Sequence, residues 1–147
     1  MGVLMTRPRI LLIEDDRLVR MNLALVLGRE GYALDMAVCA AEAYELLDRG
    51  HYDLILADIG LPDESGLEVL HAVKRSDPST RVVLVTGSED PPTQEQAALE
   101  GAECLLFKPF ALADLLATVR RFTTFEVDAL GGPSQGRAPH TGPEHAV

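Results

Sequence analysis

The chain has 147 residues, 47% of them apolar, and 13 Lys and Arg against 23 Asp and Glu, for a formal charge of −10. That is the size and composition of one globular domain, and no apolar run approaches the roughly 18 residues of a membrane span. The acid excess argues against direct contact with nucleic acid, while two cysteines, Cys39 and Cys104, are too few for a disulfide framework and fit a reducing, cytoplasmic setting.

Residues 1–8 read as a short extension. Met1-Gly2-Val3-Leu4-Met5-Thr6 matches the permissive N-myristoylation pattern, but an ordinary start segment is expected, and no apolar stretch points to export. Arg9 to Ile13 is a continuous apolar run, too short for a helix, and reads as a buried strand. Leu18 to Arg29 has a helical period through Leu18, Met21 and Leu25, whose apolar face is expected to cover a sheet, with Gly31 as its stop. Ala33 to Val38 is a second strand, and Ala40 to Asp48 a helix with Ala43, Leu46 and Leu47 on one face. Tyr52 to Ala57 is the most strand-like run of the chain, and Asp58 ends it.

Gly60, Pro62 and Asp63 make a loop, and Ser65 to Glu68 has the pattern of a capping box opening a helix to about Arg75. Val82 to Val85 is a fourth strand ending at Thr86. Thr93 and Gln96 form a second capping box, for a short helix to Glu100 that Gly101 stops. Cys104 to Phe107 is a fifth strand ending at Lys108-Pro109. Leu112 to Phe122 is a last helix with Leu112, Leu115, Leu116 and Val119 on its apolar face. Four Gly and three Pro fall in the last 22 residues, so residues 125–147 read as a flexible tail behind a domain of residues 9–124. Five strand–helix units in a row predict an α/β fold, a doubly wound parallel sheet of five strands with helices on both faces.

In such a sheet, ligands bind outside the carboxyl ends of the strands. Those ends carry Glu14-Asp15-Asp16, Asp58, Thr86 and Lys108. Clustered carboxylates repel, and a hard divalent cation such as Mg²⁺ relieves the conflict. Asp58, with a metal and Lys108 beside it, could attack a phosphoryl group, whose oxygens would be neutralised by the metal, by Lys108, and by Thr86 or nearby backbone N–H groups. Each of these residues alone has a plainer reading as a cap, turn or surface group. His51 and His71 read as surface helix or turn residues, His140 and His145 lie in the tail without partners at metal spacing, Cys39 and Cys104 read as small core residues, and Arg120-Arg121 as a solvated helix end.

ILLIEDD, LILADIGLPDESG, VVLVTGS and LLFKPF, in that order and each ending a strand, resemble the receiver domain of bacterial two-component response regulators, the flavodoxin-like family of the chemotaxis protein CheY. The resemblance runs from about Arg9 to Phe122. It implies that Asp58 is the phosphoacceptor, Asp15 a direct Mg²⁺ ligand and Glu14 one acting mostly through water. The Gly60 backbone carbonyl would complete the protein's share of the shell. Thr86 and Lys108 would be the switch hydroxyl and the phosphate-binding lysine, and the Lys108–Pro109 bond would be cis. Asp16 is assigned to the start of the first helix. The resemblance also implies a sensor histidine kinase or histidine phosphotransfer protein as donor, meeting the first helix. A downstream protein target or a homodimer would use the fourth helix, fifth strand and fifth helix.

Two departures stand out. Leu105 occupies the position three before the lysine where the family usually has an aromatic switch residue, so output would rest on Thr86 and the loop from Gly87 to Thr93. Gly60 and Ser88 are small flanking residues, which predicts easy access of water and fast phosphate loss. Two alternatives remain: a docking module that is never phosphorylated, and an aspartate-nucleophile phosphohydrolase, against which Gly60 counts because such enzymes usually place a second acid there. A nucleotide-binding Rossmann domain is least favoured, because the first turn is acidic and lacks G-x-G-x-x-G.

Overall fold

The computed structural model of the chain describes residues 7–88 and 90–124. The extension with its myristoylation pattern, up to residue 6, and the tail from residue 125 lie outside the described residues, as does Glu89. Ten elements alternate along the chain: β1 (Arg9–Ile13), α1 (Arg17–Arg29), β2 (Ala33–Ala37), α2 (Ala40–Arg49), β3 (Leu54–Asp58), α3 (Gly66–Ser76), β4 (Arg81–Thr86), α4 (Gln94–Leu99), β5 (Cys104–Phe107) and α5 (Leu112–Thr123). The five strands form one parallel sheet in the order β2-β1-β3-β4-β5. This is the expected flavodoxin-like, doubly wound architecture.

Side chains alternate across the strands, so the sheet divides the apolar residues into two cores. Leu11, Ile13, Ile55, Val82, Leu84 and Leu105 face α2, α3 and α4, where Ala43, Leu70 and Ala97 cover them. Ile10, Leu12, Leu54, Leu56 and Val83 face α1 and α5, where Leu23, Leu27, Leu115 and Val119 cover them. The central strand β3 is buried at every residue, which is why its sequence reads as an unbroken apolar run up to Asp58. Each fully buried Leu or Ile contributes about 2 kcal/mol over leaving it in water. Gly31 and Gly101 stand just past α1 and α4 at φ +93° and +109°, the left-handed region that lets glycine end a helix.

Several expectations need correction. Leu18, Met21 and Leu25 do not cover the sheet; they are 74%, 48% and 55% exposed, and Leu23 and Leu27 are the buried residues of α1. Leu112 likewise faces outward, leaving Leu115 and Val119 as the seam of α5. β3 begins at Leu54, not at Tyr52, whose hydroxyl donates to Asp35 on the edge strand β2. Ser65 caps α3 through the Leu67 N–H, so the reciprocal box with Glu68 does not form. The box at Thr93 and Gln96 forms in both directions.

Candidate functional site

β1, β3 and β4 run side by side, with Asp58 in register with Val85, so their carboxyl ends share one rim. Glu14 follows β1 and has 2% of its surface exposed; Asp58, the last residue of β3, has 7%. Thr86 ends β4 and is also buried. Lys108 follows β5 and reaches in from the edge of the sheet. Its ammonium donates to Glu14 Oε1 at 3.1 Å and to Asp58 Oδ2 at 3.2 Å, joining strand ends 94 and 50 residues away in sequence. The Lys108 backbone N–H is itself fixed, donating to the Thr86 carbonyl at 2.7 Å, and the Lys108–Pro109 bond is cis.

Local hydrogen bonds set the carboxylates. The Gly60 N–H donates to Asp58 Oδ1 at 3.0 Å and the Asp16 N–H to Glu14 Oε2 at 3.0 Å. Asp16 is the N-cap of α1, accepting from the Val19 N–H, as assigned. Arg20 reaches back from α1 and donates to the Glu14 and Asp15 carbonyls at 2.9 and 3.3 Å, pinning the turn that carries both acids. The Thr86 hydroxyl accepts from the Ser88 N–H at 3.1 Å. Gly66, the first residue of α3, allows the closest approach in the site. A Cβ there would stand 2.4 Å from the Asp58 carbonyl oxygen, so any side chain would force α3 and the peptide after Asp58 apart.

The electrostatics follow from burial. Burial raises the Glu14 pKa above its ordinary value; the Asp16 N–H opposes the rise and the charge of Asp58 adds to it. At Lys108, burial works to lower the ammonium's pKa, but the charge of Asp58 and the bond to Glu14 outweigh it, and the net shift is upward. One oxygen each from Glu14, Asp15 and Asp58 can be chosen so that all three lie within 4.8 Å of one another. Three hard oxygen donors facing one ammonium leave an unbalanced negative charge, and Asp15 stands exposed on the solvent side, so the donor set fits a cation that keeps part of its water, as Mg²⁺ does. A Cβ at Gly60 would lie 3.8 Å from Asp58 Oδ1, so the glycine leaves open the flank that a larger side chain would cover.

Of the residues on the strand ends, Glu14, Asp15, Asp58 and Lys108 come together, Thr86 stands at the end of the adjoining strand, and Asp16 turns to cap α1. Leu105 does not join them: it is 1% exposed and packs in the core under α4, where its side chain serves as filling. Sequence reasoning missed Arg20, Gly66 and the part played by Asp63, which sat in the expected loop. Asp63 accepts from the Ala40 and Ala41 N–H groups at 2.9 and 3.0 Å and so caps α2 from the loop that carries Gly60. Cys39, the N-cap residue of α2, makes no side-chain cap bond, and that vacancy in capping is the one signal that a distant acid is needed. A cleft of about 700 Å³ lies at the other ends of the strands, lined by Tyr44, His51, Tyr52, Val73, Asp77 and others, away from the carboxylates.

A family model described as the response regulator receiver domain matches residues 10–120. The transcriptional regulatory protein BasR of Escherichia coli (strain K12) is 41% identical over 113 residues, covering 76% of this chain and 50% of that protein. The transcriptional regulatory protein PmrA of Pectobacterium parmentieri is 38% identical over 112 residues, with the same coverages. The chain thus spans about half the length of these relatives. Among solved structures, the response regulator TrrA of Thermotoga maritima in complex with Mg²⁺-BeF superposes with a TM-score of 0.71 at 29% identity, covering 78% of this chain and 98% of that one. A CheY-like receiver domain protein from Methanospirillum hungatei JF-1 superposes with a TM-score of 0.74 at 28% identity, covering 79% and 93%.

Proposed function

The chain belongs to the family of response regulator receiver domains, and from that premise we propose that Asp58 accepts a phosphoryl group from the phosphohistidine of a sensor histidine kinase or a histidine phosphotransfer protein. A carboxylate oxygen of Asp58 forms the new bond to phosphorus as the phosphorus–nitrogen bond breaks, and the imidazole leaves with the electron pair. Mg²⁺, when bound, supplies positive charge to the acids and to the phosphoryl oxygens. Asp15 and Asp58 would hold it directly, with Glu14 mostly through water and the Gly60 carbonyl completing the set. Lys108 keeps a donor on the rim for a phosphoryl oxygen, and the Thr86 hydroxyl or a neighbouring N–H serves another.

The observation that carries this reading is the Lys108 ammonium held between Glu14 and Asp58, beside an exposed Asp15. It is the charge arrangement a phosphoryl transfer needs before the donor arrives. The test is incubation with a small phosphodonor and Mg²⁺, read by intact mass. Wild type gains one phosphate and Asp58→Ala none; no gain in wild type, or equal gain in the variant, overturns the reading. The open flank at Gly60 gives a second expectation, that the acyl phosphate is lost quickly once donor is removed. A phospho-form that persists for many hours contradicts it.

Modification would then alter binding to other proteins, as a switch and not as a turnover enzyme. Leu18, Met21 and Leu25 give α1 an exposed apolar stripe, which supports this helix as the meeting face for the donor. Leu99, Phe107 and Leu112, exposed on α4, β5 and the start of α5, support those elements as the face for a downstream target or a second copy. Among the described residues no helix is long and apolar enough to cross a membrane. Membership of the receiver family supports a cytoplasmic place for the chain.

A further inference from the structure

Among the described residues β5 is an edge strand, so no described strand pairs with the outward N–H and C=O groups of its backbone. At Leu105 a side chain takes the place of such a strand. Gln94 Nε2 donates to the Leu105 carbonyl at 2.7 Å, and Gln94 Oε1 accepts from the Leu105 N–H at 3.2 Å. A primary amide presents a donor and an acceptor side by side, the pair that a residue of a sixth strand would present.

The position of this clamp gives it consequences. Gln94 is the first residue of α4 and is itself exposed. Leu105 lies three residues before Lys108, on the strand that delivers the ammonium to Glu14 and Asp58. Thr86, whose carbonyl accepts from the Lys108 N–H, leads along the chain to the same Gln94. The first turn of α4 is therefore tied to the rim twice, covalently through Thr86 and by two hydrogen bonds through β5. The Leu105 side chain is locked in the core, so its backbone is the part of that residue which α4 can hold or release.

We propose that Gln94 is a positioning residue whose clamp on the Leu105 backbone holds α4 on the sheet edge and opens when the Asp58 site is loaded. This rests on the receiver reading above. A phosphoryl group on Asp58 brings an oxygen beside the end of the neighbouring strand, where Thr86 stands. A Thr86 hydroxyl turning to donate to that oxygen takes with it its contact to the Ser88 N–H. The chain after Thr86 is drawn toward the rim, and its far anchor is Gln94. The clamp resists that pull, so clamp and loading oppose one another, and by linkage each weakens the other by the same factor.

The experiment uses the whole chain with beryllofluoride and Mg²⁺ as the phosphoryl mimic, reading backbone amide exchange at Leu105 and the beryllofluoride affinity. In wild type the Leu105 amide exchanges slowly and loses protection on loading. In Gln94→Met it exchanges fast from the start, and beryllofluoride binds about fivefold tighter. Gln94→Glu, which keeps an acceptor for the N–H but sets a carboxylate against the Leu105 carbonyl, shifts affinity the same way and guards against an effect peculiar to methionine. A role in stability alone would lower the melting temperature without tightening binding. The proposal is overturned if wild type loads normally with Leu105 protection unchanged, or if both variants bind within about twofold of wild type. A wild type that takes up no beryllofluoride overturns the receiver reading itself, and this inference with it.

Discussion

Glu14 is the site residue whose surroundings conflict most with its charge. It is buried beside Asp58, and the cation it pairs with, Lys108, is shared with that same acid. Replacing it by Gln removes one of two buried negative charges while the Asp58–Lys108 pair stays intact. We expect Glu14→Gln to unfold at higher temperature than wild type in the absence of divalent cations, by about 1 kcal/mol at neutral pH. Millimolar Mg²⁺ then stabilises wild type more than the variant and narrows the gap; thermal melts with and without Mg²⁺ check both halves, and a variant less stable without Mg²⁺ contradicts the account. The acids and Lys108 were legible in the sequence because each ends a short buried run, and a charged residue there has one place to point. Arg20, Gly66 and Gln94 were not, because their roles are contacts to backbone atoms of other elements. Only closure of the fold decides which carbonyl an arginine meets or where a Cβ has no room.

At the level of elements, the number and order of the strands were legible, while the start of β3 and the phase of α1 were not. α1 has apolar residues at 18, 19, 21 and from 23 to 27, enough for two stripes at helical spacing. Leu18, Met21 and Leu25 make one; Val19, Leu23 and Leu27 make the other, and the sheet selects the second. Local pattern cannot choose between them, since both satisfy the period. α4 is the opposite case: six residues are too few to hold a helix by propensity, but its capping box is a local device and reads directly from sequence. α2 is capped from a distance by Asp63, and its two N–H donors hold the Asp63 carboxyl below its ordinary value of 3.8. A depressed carboxylate contributes stability above its unfolded value, and that contribution is lost as pH falls through the folded one. Asp63→Asn is therefore expected to melt below wild type near pH 7 and to converge with it as pH falls below about 4. A gap that stays constant with pH would show that the charge of Asp63 does not matter.

Over the whole molecule, the two cores explain how a strongly acidic chain can gather more acids at one rim. Apolar faces on both sides of the sheet hold the strand ends in place, so mutual repulsion at the rim does not spread them. The order of the strands adds a consequence in time. Glu14, Asp15 and Asp58 belong to the first three strand–helix units, but their counter-cation comes with the fifth, on the outermost strand. As a chain leaves the ribosome from its N-terminus, Glu14 emerges 94 and Asp58 50 residues before Lys108. Until that final segment docks, the acids stand without the ammonium that pairs with Glu14 and Asp58. The charge arrangement of the rim is thus complete only once the last strand of the described fold has joined the sheet.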